Sequence, residues 1–287
     1  MPLFDDVNRL LQKEEPLIHL IHDSLRQQLQ RILMRFVKPS VVASSNCPTQ
    51  IQYNDQNNHK TDEDIFIGSA ARDFISGHTT ELSSRIDQFH EEVKQFYIRA
   101  CDYMISKFPF DDDVLLNAKV VDISKRLEMS FHQILYFINR FKCLRSAVSC
   151  TVDELEEEFM AYQTAVFAET ITKAERIDVA WHCISQIKDP ASGNDKYGNI
   201  SAVMKGILVI FHSNADCERI FSLVTKNKTD YRVNLSTATL GSLITRKTMM
   251  SATSKVCHSS DHSHELLKTA KSATYKHHQL AAATNSK

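Results

Sequence analysis

The sequence predicts an all-α protein, an irregular multi-helix assembly, and three observations carry that expectation. Gly 6 and Pro 6 in 287 residues fall well below the about 20 and 14 that average usage would supply. A chain so poor in turn residues has little material for a sandwich, a barrel or the glycine loop of a dinucleotide-binding sheet. Apolar residues recur in steps of three and four, most cleanly at Leu82, Ile86, Phe89, Val93, Phe96, Ala100 and Met104. Helix-start chemistry also precedes apolar runs, as in Thr151-Val-Asp-Glu154, the spacing of a capping box.

The elements follow in order. Pro16 suits a first helical turn, and Ile18, Ile21, Leu25, Leu29, Ile32 and Phe36 continue a helix over 16–37 until Lys38-Pro39 stops it. Residues 40–62 are polar, contain Pro48, and read as a long loop. A helix over about 79–107 ends at Pro109. Asp111 to Asp113 can cap a short helix carrying Val114, Leu115 and Ala118. Ser130 opens 131–144, which is apolar almost all round and so reads as a buried helix. Thr151 opens a helix bearing Leu155, Phe159, Tyr162 and Val166, and another covers 172–187. The run DPASGNDKYGN, 189–199, holds two of the six glycines and is the expected boundary. Then come an apolar segment 200–211, a turn at 212–214, a helix 215–227, a polar stretch 228–235 and a helix from Ser236 to about 249. The remainder, 251–287, reads as a polar His/Ser-rich tail, partly disordered, with one helix around 263–280.

Composition excludes several classes of function. Lys+Arg 34 against Asp+Glu 35 leaves net −1, so no global basic field draws the chain to nucleic acid. Seven cysteines are scattered without a Cys-x-x-Cys pair, which reads as reduced thiols and not a disulfide framework. The start MPLFDDVNRLLQKEEP is acidic and lacks an apolar run, so no secretory leader is expected. No 18-residue apolar run occurs, so no membrane span is expected. These features together imply a cytoplasmic or nuclear protein. Cys257, His258, His262 and His264 are zinc-ligand types, but their spacing matches no recognised finger, and no metal or cofactor is expected. No Gly-x-Ser-x-Gly or Cys/His signature suggests a nucleophile. The acidic run Asp153, Glu154, Glu156, Glu157, Glu158 reads as a solvated helix face.

Residues 200–247 carry a more specific pattern. The apolar stretch is followed by Ser213, Ala215, Glu218, Arg219, Phe221 and Ser222 in the order Ser-x-Ala-x-x-Glu-Arg-x-Phe-Ser. Arg232 and Leu235 then form Arg-x-x-Leu, and Leu240 and Leu243 form Leu-x-x-Leu. With Trp181, Gly198 and 203–211 upstream, this segment resembles the C-terminal dimerisation region of the hAT (hobo–Activator) transposase superfamily. The stretch from FDDVNRLLQKEEPLIHL through EEFMAYQ resembles that family's helical insertion region. The resemblance implies an insertion-like region 1–190, a dimerisation region 191–250 and the tail 251–287, without the ribonuclease-H-like sheet.

The resemblance also sets Glu218 at the position of the family's late catalytic Glu. The two early Asp have no counterpart here, and Asp5 and Asp6 do not match. One carboxylate cannot hold the paired metal ions of phosphoryl chemistry. The expectation is therefore a truncated product or domesticated remnant that is not an enzyme and has no small-molecule substrate. It would form homodimers, or heterodimers with related hAT-derived proteins. Ile220, Phe221, Leu223, Leu240, Leu243 and Ile244 are the expected anchors, with Leu235 beside them and Trp181 in support. Trp181 and the Phe-rich 131–141 stripe read more readily as core than as surface. The alternative is a DNA- or chromatin-associated regulator using Arg219, Lys226, Lys228 and Arg232 on phosphate. Nuclear localisation is what the ancestry implies.

Overall fold

A computed structural model describes residues 2–229, 232, 234–252 and 263–284. The described residues are mostly helical and hold no β-strand, only two isolated antiparallel bridges, Val37 with His59 and Lys188 with Asp195. The chain divides into two compact units, Met1–Ala215 and Asp216–Lys287.

The first unit begins with α1 (Pro2–Leu11) and α2 (Ile18–Phe36). The apolar face of α2 is fully used: Ile21, Leu25, Leu29, Ile32, Leu33 and Phe36 enter one core with Val7 of α1. The predicted loop 40–62 is more ordered than its polarity suggests. It contains α3 (Pro39–Ser44) and two 3-10 turns, Pro48–Gln50 and Gln56–Asn58. Ile51 and Tyr53 are buried there, Tyr53 Oη donates to Asp102 at 2.7 Å, and Lys38 and Lys60 amides bond Asn58 and Phe36 carbonyls at 2.8 Å each. Short-range hydrogen bonding to buried aromatic anchors thus replaces the missing periodicity. The helices α4 (Ser69–Gly77) and α5 (Thr79–Lys107) follow. Tyr97, Cys101 and Met104 of α5 complete the first core, Tyr97 stacking on Phe36 with ring centroids 5.7 Å apart.

The second core is built from α6 (Asp113–Asn117), α7 (Phe131–Arg140), α8 (Lys142–Ser146), α9 (Val152–Thr164), α10 (Glu169–Thr172), α11 (Ile177–Ser185) and α12 (Gly198–Leu208), with the 3-10 turn Ala118–Val121. The caps follow the sequence. Asp112 accepts from Leu115 N at 3.0 Å. Ser130 and Gln133 form one capping box, and Thr151 and Glu154 form another. The expected helix 172–187 is split between α10 and α11, and Arg176 binds Asp178 in the first turn of α11 through two nitrogens. The acidic run on α9 is not wholly solvated. Half-buried Glu158 accepts from Ile200 N at 2.9 Å and Asn199 Nδ2 at 3.1 Å, so it satisfies the N-terminus of α12.

The loop 189–199 lies inside the first unit, which continues to Ala215. Asp189 Oδ1 accepts from Ala191 and Ser192 amides, and Gly193 follows at φ +73°, a conformation that favours glycine. This is therefore a local tight turn, whereas the compact units separate 16 to 26 residues later, after Ala215.

The two cores share α2. Its Ile18 belongs to the second core while the rest of its face belongs to the first. Asp23 on the same helix bonds Lys119 Nζ at 2.5 Å and Lys125 Nζ at 2.8 Å. Burial raises the Asp23 carboxyl, but those two ammonium groups outweigh it and hold it well below the usual carboxylate range. His19 and His22 are buried, and burial lowers both imidazoles. His22 Nε2 donates to the Phe110 carbonyl at 3.1 Å.

Two expectations follow from this packing. A Cβ at Gly206 would overlap Leu144 Cδ2, a buried side chain of α8. Gly206→Ala should therefore lower stability by about 1–3 kcal/mol, read as the urea midpoint at constant m. The histidines add a pH dependence. A lowered imidazole binds fewer protons in the folded than in the unfolded chain, so stability falls as pH drops below about 6.5. Melting followed by circular dichroism should show the midpoint declining from pH 7 to pH 5, and His19→Leu should flatten that decline.

Candidate protein interaction surface

The second unit carries α13 (Ala215–Asn227), α14 (Thr237–Ala252) and α15 (His264–Thr284). The sequence boundaries for α13 and α14 hold to within a few residues. Ser213 supplies the start of α13: its Oγ accepts from Ala215 N at 3.3 Å and donates to the Leu11 carbonyl at 2.5 Å. Glu218 and Asp216 occupy the first turn, where carboxylates favour the positive helix end. Arg219 pairs with Asp216. Glu218 is exposed.

On α13, Ile220, Leu223 and Val224 are half-buried and Asn227 is buried at the end of the same face. On α14, Leu240 and Met250 are buried, Leu243 and Ile244 half-buried. Spacings of three and four put each set on one face of its helix. The faces are tied at one end. Asn227 Nδ2 donates to the Leu223 carbonyl at 2.6 Å, and Lys247 Nζ donates to Asn227 Oδ1 at 2.9 Å. Leu235 is half-buried ahead of α14. None of these apolar side chains belongs to either of the two cores of the first unit.

Phe221 differs from its neighbours. It sits about 100° around the helix from Ile220 and is 68% exposed. Lys226, Lys228 and Arg232 are also exposed. On α15, Leu266, Leu267 and Tyr275 are exposed.

Trp181 is not gathered with these residues. Its indole is fully buried in the second core, 5.1 Å from the Tyr162 ring, and Nε1 donates to the Val121 carbonyl at 2.9 Å. The reading of Trp181 as core matches this placement, whereas support for the α13 and α14 anchors does not. The Phe-rich stripe is core too, through Phe131, Ile134, Phe137 and Ile138. The Asn227–Lys247 link escaped sequence reading, because a polar residue at the end of an apolar face looks like the end of the face.

Of the zinc-type residues, Cys257, His258 and His262 lie outside the described residues, and exposed His264 opens α15. Among the described residues no three His, Cys, Asp or Glu side chains could hold a metal ion, and no helix is long and apolar enough to cross a membrane. No protein-family model, curated protein or solved structure matches the chain.

Core and surface aromatics should separate cleanly on substitution. Trp181→Ala should cost about 3–5 kcal/mol, while Phe221→Ala should stay within about 0.5 kcal/mol, both read from urea unfolding of the full chain.

Proposed function

We propose that the chain is a non-catalytic dimerisation module related to hAT transposases, pairing with itself or with related hAT-derived proteins through α13 and α14. The observation that carries this reading is Phe221, a large aromatic 68% exposed beside the half-buried Ile220, Leu223 and Val224. Aromatic residues enriched at interface centres bury large area on association. Glu218 supports the non-catalytic part of the reading: it is an exposed first-turn carboxylate with no second carboxylate set around it to share a metal ion. A nuclear location accompanies this reading through the transposase ancestry.

A second reading, DNA or chromatin association, draws on Lys226, Lys228 and Arg232, which are exposed within seven residues of one another. Loss of a salt-dependent shift of labelled DNA on Lys226→Glu/Lys228→Glu would support it, and no shift at low salt would end it.

Light scattering on the purified full chain tests the primary reading. A dimer mass at micromolar concentration that returns to one chain with Phe221→Glu is expected. A single-chain mass throughout, together with failure to capture related hAT-derived proteins, would refute it.

A further inference from the structure

The second self-association surface lies on α5, in the first unit, and it does not rest on the reading of α13 and α14. Helix α5 runs for 29 residues, and its apolar positions keep a strict heptad: Ile86, Val93 and Ala100 at a, Phe89, Phe96 and Tyr103 at d. The helix spends only one edge of this pattern on its own chain. His90, Tyr97 and Met104, at e, are buried. The a residues are half-buried. The d residues form an exposed aromatic row at seven-residue spacing: Phe89 36%, Phe96 44% and Tyr103 63% exposed. Isolated exposed apolar residues are ordinary, but a heptad row of aromatics is a contiguous stripe along one helix.

We propose that this stripe pairs with the same stripe of a second copy, the two α5 helices running antiparallel. Three features select that occupant. First, antiparallel pairing sets each a residue opposite a d residue. Centring the two-fold axis between Lys94 and Gln95 puts Phe89 opposite Ala100, Phe96 opposite Val93 and Tyr103 opposite Ile86. Every layer then joins a large side chain to a smaller one, the arrangement that fills a helix interface. Second, the flanking g positions become complementary. Glu92 of one copy comes level with Arg99 of the other, and symmetry makes that pair twice. Both residues are exposed, and Arg99 has no carboxylate partner among the described residues. Third, the position facing Tyr103 is hollow. Ala71, Phe74 and Ile75 of α4 with Arg85, Ile86 and Phe89 of α5 line an apolar depression of about 270 Å³, placed to receive the second copy's tyrosine ring.

A parallel pair lacks these features. It would stack each aromatic on its own counterpart and set Glu92 beside Tyr97, which is already buried within its own chain. The ordering of charge along the helix thus chooses direction as well as partner.

Sedimentation velocity on the full chain carrying Phe221→Glu tests this surface apart from α13. Reversible self-association is expected to persist in that background and to be lost on adding Phe96→Glu. Glu92→Arg or Arg99→Glu alone should each weaken association on the order of tenfold, because each places like charges together twice. The double swap, Glu92→Arg with Arg99→Glu, should recover it to within about threefold. All four positions are exposed, and unchanged melting curves confirm that the fold is intact. No association up to about 100 μM, insensitivity to Phe96→Glu, or a double swap no better than the singles would each overturn the antiparallel α5 pair. If Phe96→Glu alone leaves only monomer while Phe221→Glu changes nothing, α5 pairing stands and the α13 reading falls.

Discussion

The first unit depends on one helix that must satisfy two cores. Ile18 of α2 lies in one, and Ile21 through Phe36 lie in the other. A nineteen-residue amphipathic helix cannot turn both faces inward without also burying polar groups. The chain resolves this with paired partners. His22 donates to the Phe110 carbonyl, and Asp23 gathers Lys119 and Lys125 from the segment between the cores. A carboxylate bound by two ammonium groups is stable where either alone would be exposed to desolvation cost. The same lysines flank the turn that presents the Val121 carbonyl to Trp181. The α2 polar cluster and the α11 indole therefore anchor opposite ends of one short stretch, 118–125.

Long helices were legible in the sequence because periodicity and caps agree there. The helix α5 matches its apolar spacing, and Thr151, Ser130 and Asp112 start their helices with the chemistry their side chains offer. What escaped was structure held by long-range bonds. The segment 40–62 has no period, yet Tyr53 reaches Asp102 and is buried. Glu158 looked solvated, because a run of carboxylates gives no sign that one of them caps a helix forty residues on. The loop 189–199 looked like a boundary, because glycine and proline mark a turn without saying whether a core continues beyond it. It does continue, through Ile200, Val203, Met204 and Ile207.

At the candidate surface, spacing located the helices and their apolar faces but not their exposure. Ile220 and Phe221 are adjacent in the sequence and equally apolar, and only the fold separates a half-buried side chain from an exposed one. Trp181 shows the converse. Its place in a family-like pattern suggested help to the terminal helices, while its ring fills the core with Tyr162 and Tyr197. An aromatic in a motif can be conserved for packing or for contact, and burial is the quantity that tells the two apart.

Net charge of −1 bears on both candidate surfaces. A strongly charged chain repels its own copies at long range, whereas a near-neutral one offers little barrier to self-association. Near-neutrality permits association but specifies nothing. Direction and register must come from local order, and on α5 the sequence Arg85, Glu92, Arg99 provides it by alternating sign at heptad spacing. On α13 the charges sit differently: Asp216 is already held by Arg219, and the cations Lys226 and Lys228 follow at the far end. A surface whose charges are satisfied within one chain leaves selection to its aromatic side chain. A surface whose charges are unsatisfied until a second copy arrives can select by electrostatics, and such selection weakens as salt screens it.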